Sequence, residues 1–251
     1  MNPFADDIDS ANYDRARPYF HPLVFRRLAD LLPGQLNAAL DVACGTGQSA
    51  EALTAASQVV VGLDSSVAMF KNSRRHSRIF YVRGLAEQLP FVANSFDLVS
   101  AGLAIHWFDR NLFLSEARRV LRHPGWLLVY ESGFPGIMKE NPAFSVWAQQ
   151  YRARFPAPPR NDQRLSNSEL AEVGFHEVLS ETFIHNETYS ADKLIAYLNT
   201  QSNVLQALRT GGETLQSIRG WMEDGLLPLF GGTKGTFEFR GWMRLAEAVP
   251  R

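Results

Sequence analysis

The run Leu40-Asp41-Val42-Ala43-Cys44-Gly45-Thr46-Gly47-Gln48 constrains this chain most: an apolar strand ends in an acid, enters a glycine turn and leaves as a helix. Gly45 and Gly47 permit tight curvature and let a ligand approach the backbone. Around this run, short β-like segments alternate with helical ones, the pattern of a parallel sheet covered by helices. Strands are expected over 38–43, 59–63, 79–82, 96–100 and 126–130, and helices over 48–56 and 111–121, with Ser65 or Ser66 capping the helix after the second strand. His123-Pro124-Gly125 is expected to separate the second of those helices from the fifth strand. The expected fold class is α/β, doubly wound.

Beyond Glu131 the alternation weakens, and Pro135, Pro142, Pro156, Pro158 and Pro159 punctuate a stretch that reads as a cap. A helix is expected over 168–173 with Gly174 closing it, a strand as far as Phe183, helices over 194–208 and 215–222, and a last strand from 236–239 with 242–245. The expected organisation is one domain, 1–251. Within it, 1–35 is an N-terminal helical segment, 36–133 the core, 134–166 and 186–230 cap elements, and 167–185 with 231–251 complete the sheet.

Composition limits the partners. The formal net charge is -1, so the excess of Lys and Arg that phosphate neutralisation demands is missing, and no nucleic-acid partner is expected. The densest basic group, Arg74, Arg75, Arg78 and Arg83 around His76, reads as a solvated helix end and strand start. One cysteine, Cys44, fits a reducing cytosol and reads as a packing residue of the turn rather than a nucleophile. No apolar run approaches the roughly 20 residues that span a bilayer. Asp6, Asp7 and Asp9 stand where an export signal would be basic and then apolar, so a cytoplasmic protein without a membrane partner is expected. His21, His76, His123, His176 and His185 are scattered with no metal-binding spacing, and no metal is expected.

Two cofactor chemistries compete for the turn. Gly45 and Gly47 with Ala50, followed by Asp64 at the end of the second strand, satisfy the dinucleotide pattern. Against it, Asp41 stands at the mouth where a pyrophosphate would lie, and between Leu28 and Phe70 there is no Lys or Arg while Asp30, Asp41, Glu51 and Asp64 are acidic. That sign suits a cation. S-adenosylmethionine combines a ribose, for the acid at the strand end, with a sulfonium and an ammonium.

On these residues the chain resembles the class I S-adenosylmethionine-dependent methyltransferases, in particular the small-molecule branch called type 11, well from Tyr13 to about Ser132 and loosely beyond. The resemblance implies a Rossmann-like, seven-stranded, mostly parallel sheet with the last strand antiparallel and helical cap elements. It implies that the turn from Asp41 through Ala43, Gly45, Thr46 and Gly47 holds the methionine part of the cofactor, that Asp64 with Ser65 binds the ribose, and that Met69 packs on adenine. Phe96-Asp97-Leu98-Val99, running on to Ala101, is similar to the family's fourth-strand motif, and 119–125 to its turn into the fifth strand. Within Gly84-Leu85-Ala86-Glu87, Leu85 departs from the pattern, because the family usually has an acid there that bonds the adenine amino group. Either the Leu85 backbone does so or adenine rests on apolar contacts alone. Glu87 contacts the cofactor or caps the loop.

Ala104-Ile105-His106-Trp107-Phe108-Asp109, together with Tyr13 and Arg17-Pro18, is similar to the trans-aconitate methyltransferase-like group, whose better-known members methylate small carboxylic acids. At the edge where open α/β sheets bind ligands, either Trp107 lies beside cofactor or substrate with His106 at the reacting group, or both pack the loop. Methyl transfer is an in-line displacement that needs alignment and exclusion of water. A carboxylate acceptor needs no base. A hydroxyl or amine does, and His106 is the candidate catalytic residue. Arg17 either pairs with a carboxylate of cofactor or substrate or makes a helix-surface salt bridge. Carboxylate O-methylation of a small molecule is the expected reaction. The alternatives are a nicotinamide oxidoreductase, a non-catalytic S-adenosylmethionine-binding protein and, less favoured, a methyltransferase of RNA or protein.

Overall fold

The sheet consists of β1 (Leu36–Val42), β2 (Ser57–Asp64), β3 (Ile79–Arg83), β4 (Phe96–Gly102), β5 (Leu121–Met138), β6 (Phe175–Tyr189) and β7 (Gly235–Ala248), in the spatial order β3-β2-β1-β4-β5-β7-β6. These elements come from a computed structural model that describes residues 10–250; Asp6, Asp7 and Asp9 lie outside the described residues. The β1–β2, β1–β4, β2–β3 and β4–β5 pairings are all parallel. β7 runs against its neighbours. The Lys139 N–H after the end of β5 donates to Thr236 O at the start of β7, while His123 near the start of β5 lies 3.2 Å from Ala248 O at its end. The Val249 N–H donates to Gly174 O just before β6, so β7 is antiparallel to both.

The central strands are mostly apolar because both faces are covered, with Asp41 and Ser100 as buried polar exceptions. Alternate residues serve opposite cores. On one face Leu40, Val42, Val99, Leu127 and Val129 pack with Phe113, Leu114 and Ala117 of α5 (Arg110–Val120). On the other, Ala39, Val60, Leu98 and Leu128 pack with Val24, Phe25 and Leu28 of α2 (His21–Ala29) and with Ala50 and Leu53 of α3 (Gln48–Leu53). Each fully buried Leu or Phe contributes about 1.5–3 kcal/mol, and a one-residue shift of register would exchange the two faces.

The remaining helices are α1 (Ser10–Ala16), α4 (Val67–Phe70), α6 (Phe144–Arg154), α7 (Asn167–Glu172), α8 (Ala191–Asn199), α9 (Ser202–Arg209) and α10 (Leu215–Leu226). Three differ from the sequence expectation. α3 stops at Leu53, where the Thr54 hydroxyl donates to Glu51 O at 2.7 Å and competes with the helix ladder. The helix expected over 194–208 divides into α8 and α9, again at a threonine: Thr200 Oγ1 donates to Tyr197 O at 2.6 Å. Ser66 occupies the N-cap position of α4 without making a side-chain cap. β5 begins directly after α5 and runs through His123-Pro124-Gly125, the segment expected to be a break.

The single domain expected over 1–251 divides into two compact units. One holds residues up to Pro18, Ser132–Pro159 and Ile184–Gly241; the other holds Tyr19–Glu131, Arg160–Phe183 and the chain from Trp242 onward. The first has its own core, built from aromatic rings: Phe144, Trp147, Phe155, Tyr189, Tyr197, Phe237 and Phe239 are all buried. Trp147 stacks on Tyr151 and Trp221 at 5.7 and 5.6 Å between centroids. Among the described residues no helix is long and apolar enough to cross a membrane, and no three His, Cys, Asp or Glu side chains group as metal ligands.

Candidate active site

The glycine turn joins β1 to α3. Asp41, the last but one residue of β1, has no exposed surface; Ser49 Oγ donates to Oδ2 and Ser100 Oγ of β4 to Oδ1, the latter at 2.9 Å. Burial pushes its carboxyl up to about 7, against the lowering effect of the two serines. Asp41 thus lies beneath the turn, where the two serine bonds let it brace the loop, and not at the open mouth where the sequence puts it. Ala43 and Gly45 follow with φ of +57° and +56°, and Gly47 with +87°. A Cβ on Gly45 would meet open space, whereas one on Gly47 would fall on the Tyr81 hydroxyl, so the first glycine leaves the backbone open to a ligand and the second lets the turn close on β3. Thr46 is buried, and its carbonyl accepts the Arg74 N–H at 2.9 Å.

Asp64 ends β2 beside this turn. Its Oδ2 accepts the Gly45 N–H and its Oδ1 the Ser66 N–H, both at 2.8 Å, which ties two strand ends together, while the Ser65 N–H also bears on the carboxylate. Burial raises the Asp64 carboxyl, opposed by these N–H groups. Ser66 Oγ is buried without a partner two residues on. Ser65 is half-buried, with its carbonyl 3.3 Å from Arg83 Nε, and Met69 is buried in α4. Leu85 is 54% exposed in an antiparallel bridge with Gln88, and Ala86 is buried. Glu87 Oε1 accepts the Asp109 N–H at 3.1 Å, which makes it the loop cap that was one of its two readings.

The acidity counted between Leu28 and Phe70 is smaller in the fold. Glu51 pairs with Arg74, which the chain supplies from outside that window. Cys44 is buried, and burial raises its thiol well above the ordinary value, consistent with a packing residue.

His106 and Trp107 lie in a single 3₁₀ turn, Ile105–Trp107, after β4, whose Ala101 is fully buried. Leu103, at φ +59°, turns the chain into it. His106 Nδ1 is 2.9 Å from Glu131 Oε1 of β5, and the two side chains are 15% and 18% exposed. The His106 ring sits 4.8 Å from that of Trp107, over which the Arg160 guanidinium lies at 5.9 Å. The Asn161 N–H donates to His106 O at 3.3 Å. From sequence, Glu131 reads as an acid after the fifth strand that either faces the substrate or is solvated; its bond to His106, 25 positions away, follows from no spacing rule.

Tyr13 and Arg17 belong to the other unit. There Arg17 donates to Thr200 O at 2.6 Å, and its guanidinium carbon lies 4.6 Å from the Tyr13 ring and 5.7 Å from that of Tyr197. Its Nε is buried without a partner, and among the described residues no carboxylate forms an ion pair with it, so the surface salt bridge is not formed.

A family model described as a methyltransferase domain matches residues 40–129, from the glycine turn to β5. Over 173 residues the chain is 38% identical to a malonyl-acyl-carrier-protein O-methyltransferase of Herminiimonas arsenicoxydans, 67% of this chain and 64% of that one. A solved structure described as a type II methyltransferase, from Anaeromyxobacter dehalogenans, superposes with a TM-score of 0.72 at 25% identity, covering 94% of this chain and 99% of that one. The chain is a class I S-adenosylmethionine-dependent methyltransferase. A protein of Dictyostelium discoideum described as a methyltransferase is 23% identical over 210 residues, 81% of this chain and 79% of that one. The nicotinamide and non-catalytic readings are thereby set aside. The cofactor of this methyltransferase is S-adenosylmethionine, and the turn fits it: open space over Gly45, remaining acceptor capacity on Asp64 and an unbonded Ser66 hydroxyl.

Proposed function

We propose that this methyltransferase acts on a small molecule. Bound S-adenosylmethionine supplies an electrophilic methyl group on a sulfonium. In this reading the backbone from Ala43 to Gly47 cradles the methionine moiety, Asp64 and Ser65 hold the ribose hydroxyls, and Met69, Leu85 and Ala86 border adenine. Asp41 and Glu87 act through the loops they brace, fully buried Ala101 acts through the packing of β4, and Trp107 borders the reacting end. The observation that carries the reading is the Asp64 carboxylate, which fastens the Gly45 turn and keeps acceptor capacity for a ribose hydroxyl.

Two acceptor classes follow from two observations. A guanidinium without a carboxylate partner, Arg17 beside Tyr13, suits a carboxylate of cofactor or acceptor, and a relative that is a malonyl-acyl-carrier-protein O-methyltransferase is compatible with O-methylation of an acid. A histidine held by a carboxylate, His106, suits an acceptor that must lose a proton. Calorimetric titration with S-adenosylmethionine and S-adenosylhomocysteine tests the cofactor site. Asp64→Ala is expected to weaken both ligands about 100-fold, in keeping with the loss of charge-assisted hydrogen bonds worth roughly 3 kcal/mol. Unchanged affinity would remove Asp64 from the ribose site.

A further inference from the structure

We infer that Glu131 is a positioning residue for His106, and that the pair serves an acceptor which arrives with its proton, a hydroxyl or amine rather than a carboxylate. The inference rests on the reading of His106 as the residue at the reacting group and deepens it. Glu131 Oε1 lies 2.9 Å from His106 Nδ1, and both side chains are largely buried. A carboxylate accepts and cannot donate when ionised, so the proton between them sits on Nδ1 and the lone pair of the imidazole is left on Nε2. That is the tautomer of a general base whose second nitrogen faces a donor. The backbone holds the ring from the other side, since the Asn161 N–H binds His106 O and the Trp107 ring packs at 4.8 Å.

The charge of the surroundings decides the acceptor class. The charged groups at this turn are Glu131 on β5, bonded to the ring itself, and Arg160, which lies against the Trp107 ring. An acceptor carboxylate, already ionised near neutral pH, would be repelled by Glu131 and would have no proton to surrender. A neutral O–H or N–H meets neither difficulty. As the oxygen or nitrogen lone pair forms its bond to the methyl carbon, the carbon–sulfur electrons remain on sulfur, and the acceptor's proton passes to His106 Nε2 and from there to water.

Two measurements on the full-length protein test this. The first is long-range ¹H–¹⁵N correlation on histidine-labelled protein, which reads the tautomer without any turnover. His106 is expected as the Nδ1–H form in the wild type and in Glu131→Gln, whose amide oxygen still accepts, and to lose that preference in Glu131→Ala. An Nε2–H form in the wild type, or a ring protonated on both nitrogens up to pH 9, overturns the proposal whatever the enzyme methylates.

The second measurement uses labelled S-adenosylmethionine with a panel of simple phenols, alcohols and amines set against simple carboxylic acids. Turnover is expected in the first group. Its kcat should fall about 100-fold in Glu131→Ala, as for loss of a general base, and less in Glu131→Gln, with KM changed less than twofold. Turnover confined to carboxylic acids and indifferent to Glu131 refutes the acceptor class. Failure to bind S-adenosylmethionine would instead count against the cofactor site and leave the tautomer result standing.

Discussion

The glycine turn and the aromatic unit differ in how many buried polar groups they leave unmet, although the turn's own unit also leaves Ser66 Oγ and Arg110 Nε without a partner. Around the glycine turn nearly every one is paired: Asp41 by Ser49 and Ser100, Asp64 by two backbone N–H groups, Glu51 by Arg74, His106 by Glu131. In the aromatic unit, Arg17 Nε, Trp147 Nε1, Tyr189 OH, Asn199 Oδ1 and Gln201 Nε2 are all buried without a partner. An unmet buried group costs about 1–3 kcal/mol, so the contrast is one of function as well as packing. The turn is organised before a ligand arrives, as electrostatic preorganisation requires. The aromatic unit keeps hydrogen-bonding capacity and an unpaired cation in reserve.

The sharpest break of that contrast is at the turn. Gly47→Ala puts a Cβ onto the Tyr81 hydroxyl at a φ of +87°. Left-handed strain and overpacking each cost roughly 1–3 kcal/mol, and a total loss of about 3 kcal/mol is expected in urea unfolding. Combining it with Tyr81→Phe should recover the part of the loss due to the hydroxyl and leave the strain and the close approach of the ring. No recovery would mean that the turn, not its contact with β3, demands glycine.

Next in size is a pair of arginines. Arg110 is buried and bonded to Glu169, Asn161 O and Gln163 O, whereas Arg17 has one carbonyl and two tyrosine rings. Arg110→Met is expected to lower unfolding stability by about 2–3 kcal/mol, since it strands a partly buried carboxylate and two carbonyls. Arg17→Met should stay within about 1 kcal/mol, because the lost carbonyl bond is offset by removing an unpaired, partly buried charge. Equal losses would mean that Arg17 is a structural strut and would erase the difference between the units.

How far the sequence could be read follows the same division. Leu40 to Gln48, Asp64 and His106-Trp107 are local signals, a strand end, a glycine pair and a short turn, and the structure puts all of them near the carboxyl ends of β1, β2 and β4. The bond from Glu131 to His106 and that from Arg74 to Glu51 cross 25 and 23 positions. Sheet order creates these, and no periodicity announces them. Asp41 was placed at the open mouth because sequence shows the sign of a charge and not its depth. The aromatic unit was legible as apolar and helical, but its separate core, and the polar atoms stranded in it, depend on packing among segments far apart in the chain. The α8–α9 break turns on a single threonine hydroxyl choosing a local carbonyl.

The smallest effect is a difference of pH dependence within the paired unit. Asp41 has its carboxyl raised to about 7 by burial, from an unfolded value near 3.8, so its protonated form stabilises the fold fully below about pH 4, and that contribution is lost as pH climbs toward 7. Asp97 is the reverse. Burial pushes it up, but the N–H groups of Ala38 and Asn37 and the Arg122 guanidinium outweigh burial and hold it below its ordinary value. Its contribution is present above pH 4 and disappears on acidification. Asp41→Asn keeps the shape, since Ser49 or Ser100 can rotate its hydroxyl to accept from the amide. Melting curves of the wild type and Asp41→Asn from pH 5 to 8 should therefore shift in the variant's favour by on the order of 1–2 kcal/mol as pH rises. Asp97→Asn should be less stable than the wild type at pH 7 and converge with it near pH 3. If Asp41→Asn tracked the wild type across the range, Asp41 would be ionised in the fold at neutral pH, and the turn would rest on a buried charge.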